Sequence, residues 1–220
     1  MGINSKLSDR DLLNAIYNAA LEYSKLVGKS FLIIGKNKNT GYFWFQCYFE
    51  RKHFMHLLGI KSKTLNATEF YERCMAHNKG KTGGITVCDC TPSREHNRST
   101  VNEKSSCCAE ILRIEDAKYM KIRVKDKISQ YVDFSYGYGN IATLGFMAVG
   151  DASFPVTLIP ASIDKFVSAK YKIIFVLQKN RTDEKYGNVY AEIKKGLFLD
   201  IYDDFPEELK ALLDEKESFL

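Results

Sequence analysis

The feature that most constrains this chain is a change of pattern near its middle. From Lys121 onward, KIRVKD, YVDFSYGYGN, ATLGFMAVG, FPVTLIP, YKIIFVLQK and VYAEIKKG are short runs rich in β-branched and aromatic residues. Glycine, proline or charged turns separate them, which predicts a mainly antiparallel sheet. The first half reads differently. Ser8 with Asp11 forms a capping pair, and Leu12, Leu13, Ile16, Ala20, Tyr23 and Val27 recur at helical spacing until Gly28 offers a stop. Residues 1–28 therefore predict an amphipathic N-terminal helix.

FLIIGK and YFWFQCYFE flank the polar run KNKNTG, a hairpin pattern. Asn66 and Glu69 then repeat the capping logic at the head of NATEFYERCMAH, a second helix. Residues 77–106 are glycine-rich and polar apart from ITVCDC, and predict a short strand inside a long, mobile connection. Pro206–Lys216 predicts a closing helix, with Pro in its first turn and Leu209, Leu212 and Leu213 on one face. Helices first and strands later make the chain α+β, with N-terminal helices packed on a curved, mainly antiparallel sheet and a C-terminal helix. The 220 residues suffice for a single domain.

Charge is unevenly spread. Residues 198–220 hold eight acidic side chains against Lys210 and Lys216, a net of −6, so of the overall +5 the rest carries +11. A basic body suits a polyanionic partner, because neutralised phosphates release counterions. The acidic tail is either a solvated helix or a competitor lying over the basic surface. No run of about 18 apolar residues and no basic-then-apolar leader occurs, so a cytoplasmic protein without membrane insertion is expected. Six cysteines without a secretory signal point to reduced thiols.

Cys88, Cys90, Cys107 and Cys108 bracket a loop holding His96, but C-x-C and C-C are not the usual zinc-knuckle spacings. Small buried cysteines, with no metal and no cofactor, are the expectation, and a redox-dependent disulfide across the loop is the alternative. GYGN and KGKTGG have a phosphate-cradle look, yet the first lies between strands and the second lacks the full P-loop order, so turn glycines explain both. Nucleophile elbows, helical zinc-protease motifs and dinucleotide fingerprints are absent.

The remaining candidate chemistry is FERKHFMHLLGI, Phe49 to Ile60, with His53 and His56 one helical turn apart and Arg51 and Lys52 just before them. A histidine on an apolar segment is more often a hydrogen-bonded core residue than a catalyst. Phe54, Met55, His56, Leu57, Leu58, Gly59 and Ile60, followed by TEFYERC, resemble the F-x-HL-x-G-I … FY signature of a family carried by phages and other mobile elements. That family is named for the barnase, EndoU, colicin and RelE-like nucleases. FSYGYGN, GFMAVG, FPVTLIP, YKIIFVLQKN and KYGNVYAEIKKG extend the resemblance over residues 30–196.

The resemblance implies a compact α+β fold and metal-independent RNA cleavage by 2′-hydroxyl attack, with tRNA among the candidate substrates and a protein antidote or host target as a candidate partner. It places His56 as general acid or base. A pattern reading of YKIIFVLQKNRTDEKYGNVY adds Lys179, Arg181 and Tyr186 near one end of the sheet, where they would meet phosphate, with Lys172 beside them; Arg51, Lys52 and His53 are candidate substrate contacts. A nuclease-like scaffold that binds without cutting is the rival, since no second histidine is placed opposite His56. A zinc-stabilised nucleic-acid binder is the third alternative.

Overall fold

The computed structural model describes residues 7–122, 132–138, 141–163 and 170–219. Helix α1 (Asp9–Ser24) starts where Ser8 Oγ accepts a hydrogen bond from the Asp11 amide at 3.2 Å. It buries Leu12, Ile16, Ala19, Ala20 and Tyr23, each large apolar side chain contributing roughly 1.5–3 kcal/mol of transfer free energy. Strands β1 (Lys29–Asn37) and β2 (Gly41–Tyr48) form the expected hairpin, from Ser30 opposite Tyr48 to Asn37 opposite Gly41. A 3-10 turn, Arg51–His53, then leads into the one-turn helix α2 (Phe54–Leu57). Helix α3 (Ala67–Asn78) carries the full capping box of Asn66 and Glu69.

The segment expected to be a mobile connection with a short strand is built otherwise. ITVCDC holds a 3-10 turn, Val87–Asp89, and residues 98–106 belong to helix α4 (Arg98–Ile111), capped by Asn97. The polar sequence hid this helix because its inward face includes Asn102, Lys104 and Ser105 as well as Val101, Cys107, Cys108 and Ile111. α4 packs against α1 and against the sheet.

The second half supplies β3 (Tyr119–Ile122), β4 (Phe134–Tyr138), β5 (Ala142–Val149), β6 (Ala152–Ile159), β7 (Tyr171–Asn180) and β8 (Asn188–Glu192). Lys121 and Ile122 open the KIRVKD run; its remainder, with Tyr131, Gly139 and Asn140, lies outside the described residues. The strand order is β1-β2-β6-β5-β4-β3-β7-β8, and β7 also pairs with β1, so the sheet closes on itself with β8 attached to the outer edge of β7. All neighbours are antiparallel except β2 and β6, which meet in parallel at Cys47 and Ser153.

Strand alternation explains the two cores. On β1, Phe31 and Ile33 face the core shared with α1, α3 and α4, while Leu32 and Ile34 face a second one. The second core is roofed by the chain after β8: α5 (Leu197–Ile201), a 3-10 turn at Tyr202–Asp204 and α6 (Glu207–Lys210). The single closing helix expected at Pro206–Lys216 is thus α6 alone, with a 3-10 turn at Lys216–Phe219 after it. Phe198, Tyr202, Phe205, Leu209 and Leu213 bury their side chains against the sheet, so the acidic tail is anchored by its apolar face.

Candidate active site

The strand register builds the site. β1 lies between β2 and β7, with Ser30 opposite Tyr48 on one side and Lys179 on the other. Neighbouring strands are about 4.8 Å apart, so the residues just past the ends of β2 and β7 flank the start of β1. Those residues are Glu50 and Arg181. Arg181 Nη1 donates to Glu50 Oε1 at 2.9 Å, and Lys52 Nζ approaches Glu50 Oε2 at 2.6 Å. The guanidinium also lies 5.0 Å from the Tyr48 ring centroid. A cleft of about 310 Å³ opens here, lined among others by Val27, Gly28, Glu50, Lys52, Thr68 and Arg181. Lys52 first, then Arg181, holds the Glu50 carboxyl below the usual carboxylate range.

The backbone of Glu50 is fixed as firmly as its side chain is aimed. Its carbonyl accepts from Tyr23 Oη at 2.8 Å and from the His53 amide at 3.0 Å. His53 is buried, stacks on Phe154 with ring centroids 5.0 Å apart, and brings Nε2 within 3.9 Å of Glu50 Oε2. Burial pushes its pKa down to about 4, so at neutral pH it is an uncharged ring. Acid should then destabilise the fold. Between the usual 6.5 and 4 the unfolded chain binds a proton that the folded ring refuses, so this contribution is complete above 6.5 and lost as pH falls through 4. Denaturant titrations at pH 7 and pH 4 should show wild type losing up to about 3 kcal/mol more than His53→Phe. Identical acid sensitivity of the two proteins would show that His53 titrates normally.

The signature run itself is mostly architecture. Phe54, Leu57, Leu58 and Ile60 are fully buried and Met55 nearly so. Gly59, at φ +70°, closes α2: its amide reaches the His56 carbonyl at 2.9 Å and the Ile60 amide reaches the Met55 carbonyl at 3.3 Å. This is a Schellman stop, for which a left-handed glycine is the natural residue. A Cβ on Gly59 would sit 2.5 Å from His96 Cδ2. His56 alone in the run Phe54–Ile60 is exposed.

The other predicted residues divide. Arg51, Lys52, His53 and Arg181 gather around the junction at Glu50, while His56 lies one helical turn beyond His53 and acts electrostatically on that ring. Arg51 is held by Glu72 at 2.8 Å. Lys179 stands close by but turns to the Glu184 carbonyl at 2.6 Å and to the Tyr186 ring at 4.7 Å. Tyr186 does not reach an open surface: it is 1% exposed, packs in the second core and donates to Gln46 Oε1 at 3.2 Å. Alternation and the turn after β7 carry its ring inward. Lys172 lies at the opposite end of β7, seven residues from Lys179 and so about 23 Å along the strand.

Sequence reasoning missed Glu50, Tyr48 and Phe154. The available signal was a carboxylate directly before Arg51 and Lys52 at a strand end. All six cysteines are free, and burial pushes the Cys90 and Cys107 thiols up to about 12, which makes them inert neutral groups. Among the described residues no group of three or more His, Cys, Asp or Glu side chains is arranged to hold a metal ion. KGKTGG forms the turn that ends α3, with Gly80 at φ +71°. Gly137 of GYGN lies within β4, against Ile163.

Residues 15–195 match the family described as phage-Barnase-EndoU-ColicinE5/D-RelE like nuclease 4. The chain belongs to that family. The α+β architecture, with its large mainly antiparallel sheet, fits a nuclease of the Barnase-EndoU-Colicin-RelE type. The family match ends within the turn before α5, so the roof over the second core lies outside it. No curated protein and no solved structure matches the chain. None of its helices among the described residues is long and apolar enough to cross a membrane.

Proposed function

We propose that this member of the nuclease family cleaves RNA by attack of the 2′-hydroxyl on the adjacent phosphate. The observation that carries the reading is the Glu50 carboxylate, held between Lys52 and Arg181 in an open cleft; the exposed His56 follows one helical turn beyond His53, the ring that contacts Glu50. The reaction needs a base, an acid and positive charge at a crowded phosphate. Glu50 takes the 2′-hydroxyl proton; O2′ bonds to phosphorus and the bond to O5′ breaks. His56 in its imidazolium form gives the leaving oxygen its proton, yielding a 2′,3′-cyclic phosphate and a 5′-hydroxyl. Arg181 and Lys52 transfer from Glu50 to the phosphate as charge develops, a short movement for two exposed side chains. Buried, neutral His53 positions the junction.

The cellular role that suits such an enzyme is interference with a host by a mobile element, in the cytoplasm, with RNA such as tRNA as substrate and a protein antidote as partner. A binding scaffold without turnover is the second reading, favoured by one observation: paired with two cations, Glu50 is a weak base. Incubating purified protein with tRNA and mixed RNA, with chelator present, separates the two. Cleavage to cyclic-phosphate ends, reduced roughly 10²–10⁴-fold in His56→Ala, is the expected result. Equal cleavage by both proteins removes His56 from the mechanism.

A further inference from the structure

A second groove joins the cleft at Glu50. It has a volume of about 570 Å³, lies between the end of α1 and the outer side of α3, and shares Val27 and Arg51 with the cleft. Its rim carries Arg51, Lys79 and Lys81; its floor is Tyr71 and Met75. Only one carboxylate, Glu72, lines it, and Glu72 is taken by Arg51 in an ion pair that is about half exposed on both sides. Such a pair contributes little net stability, so a phosphate can replace the carboxylate at small cost. Lys79 and Lys81 flank Gly80 in the turn that ends α3, are both exposed, and make no ion pair among the described residues.

The bland reading of two lysines at a helix end is compensation of the helix dipole. It accounts for their sequence position, and leaves unexplained why they line a groove that continues to the Glu50 cleft. We infer that this groove is a subsite for the unpaired RNA strand flanking the cleaved phosphate. Arg51, Lys79 and Lys81 bind successive backbone phosphates, and the Tyr71–Met75 floor takes the apolar side of a sugar or base. The inference rests on the ribonuclease reading of the neighbouring cleft. It specifies that reading further: the substrate extends at least one nucleotide beyond the scissile bond and is single-stranded, because only an unpaired nucleotide can turn its sugar or base onto the Tyr71–Met75 floor.

The test compares wild type with the double variant Lys79→Ala/Lys81→Ala on a nine-nucleotide single-stranded RNA and on a dinucleoside monophosphate. The ratio of kcat/KM for the long over the short substrate should fall about 10–100-fold in the variant, since binding energy from remote parts of a substrate is expressed at the reacting centre. Binding of the same nonamer with 2′-O-methyl groups, which cannot be cut, should lose about 1.4 from its salt slope, the share of two phosphates on a single strand. An unchanged ratio with an unchanged salt slope overturns the subsite while leaving the nuclease intact. If wild type cuts neither substrate yet binds the methylated nonamer through these lysines, the cleavage reading fails and the groove stands as an RNA site. Lysine-dependent capture of polyglutamate in place of the nonamer overturns the proposal in favour of an acidic protein partner.

Discussion

Glu50→Gln should lower RNA cleavage roughly 10²–10⁴-fold, the range expected for loss of a positioned general base. The substitution keeps the shape of the side chain and leaves untouched the backbone carbonyl that anchors Tyr23 Oη and the His53 amide. Its cost to folding is small, since the ion pairs to Lys52 and Arg181 are exposed and such pairs contribute about 0–1 kcal/mol. Activity and stability should therefore separate: little change in the unfolding midpoint, near-complete loss of turnover. RNA affinity moves the opposite way. Removing the carboxylate that occupies Lys52 and Arg181 frees both for phosphate, so the uncut methylated RNA should bind more tightly to Glu50→Gln than to wild type. Undiminished cleavage by Glu50→Gln would dismiss the carboxylate as the base and return that role to a histidine.

The second large effect concerns Lys104, on the inner face of α4. It is 4% exposed, and its Nζ lies 3.0 Å from His96 Nε2. Glu95, Cys107 and Cys108 are the other titratable groups that act on it. Burial pushes the lysine down to about 8, against 10.5 for a free side chain, and burial together with Lys104 also lowers His96. Below pH 8 the fold therefore carries a charge that the unfolded chain holds more comfortably. Lys104→Met should stabilise the protein by about 2–3 kcal/mol at pH 7, through removal of that charge and burial of a flexible apolar chain, less the loss of one hydrogen bond to His96. The sign with pH is fixed by linkage. The wild-type penalty is full below pH 8 and vanishes above 10.5, so the difference between the two proteins should shrink across that window. Titrations of the buried tyrosines occur in both proteins and cancel in the difference, whereas Cys107, Cys108 and His96, which interact with Lys104, contribute to it. A stability gain that does not change from pH 7 to pH 10 would show that Lys104 titrates alike in the folded and unfolded chains.

Most of the fold was legible because local rules and tertiary packing agree there. The Ser8 and Asn66 caps, the KNKNTG hairpin and, among the described residues, the β-rich runs of the second half form where the sequence places them. α4 was illegible for the opposite reason: a helix whose buried side holds Asn102, Lys104 and Ser105 has no clean apolar stripe, and its partners lie on elements distant in sequence. The closing segment failed similarly, since Phe198, Tyr202 and Phe205 plug a sheet face that only exists once the ring of strands is formed. At the site, position could be read but direction could not. His53 and His56 look equivalent as letters, and only packing separates a ring stacked on Phe154 from one in solvent. Tyr186 looked like a surface contact because alternation past the end of β7 is reset by the turn at 181–185. Glu50 was read only as the last residue of a strand.

Closure of the sheet also sets a clock. Glu50 and Arg181 are 131 positions apart and meet only when β7 lies along β1. Pairings of such long range are slow to form, because the loop entropy is paid before the contact gives anything back. A growing chain that has produced the whole junction from Tyr48 to Ile60 still lacks the guanidinium that completes it, and must be extended through the strand that seals the ring. The junction at Glu50 is thus among the last parts of the molecule to be completed as the chain is made.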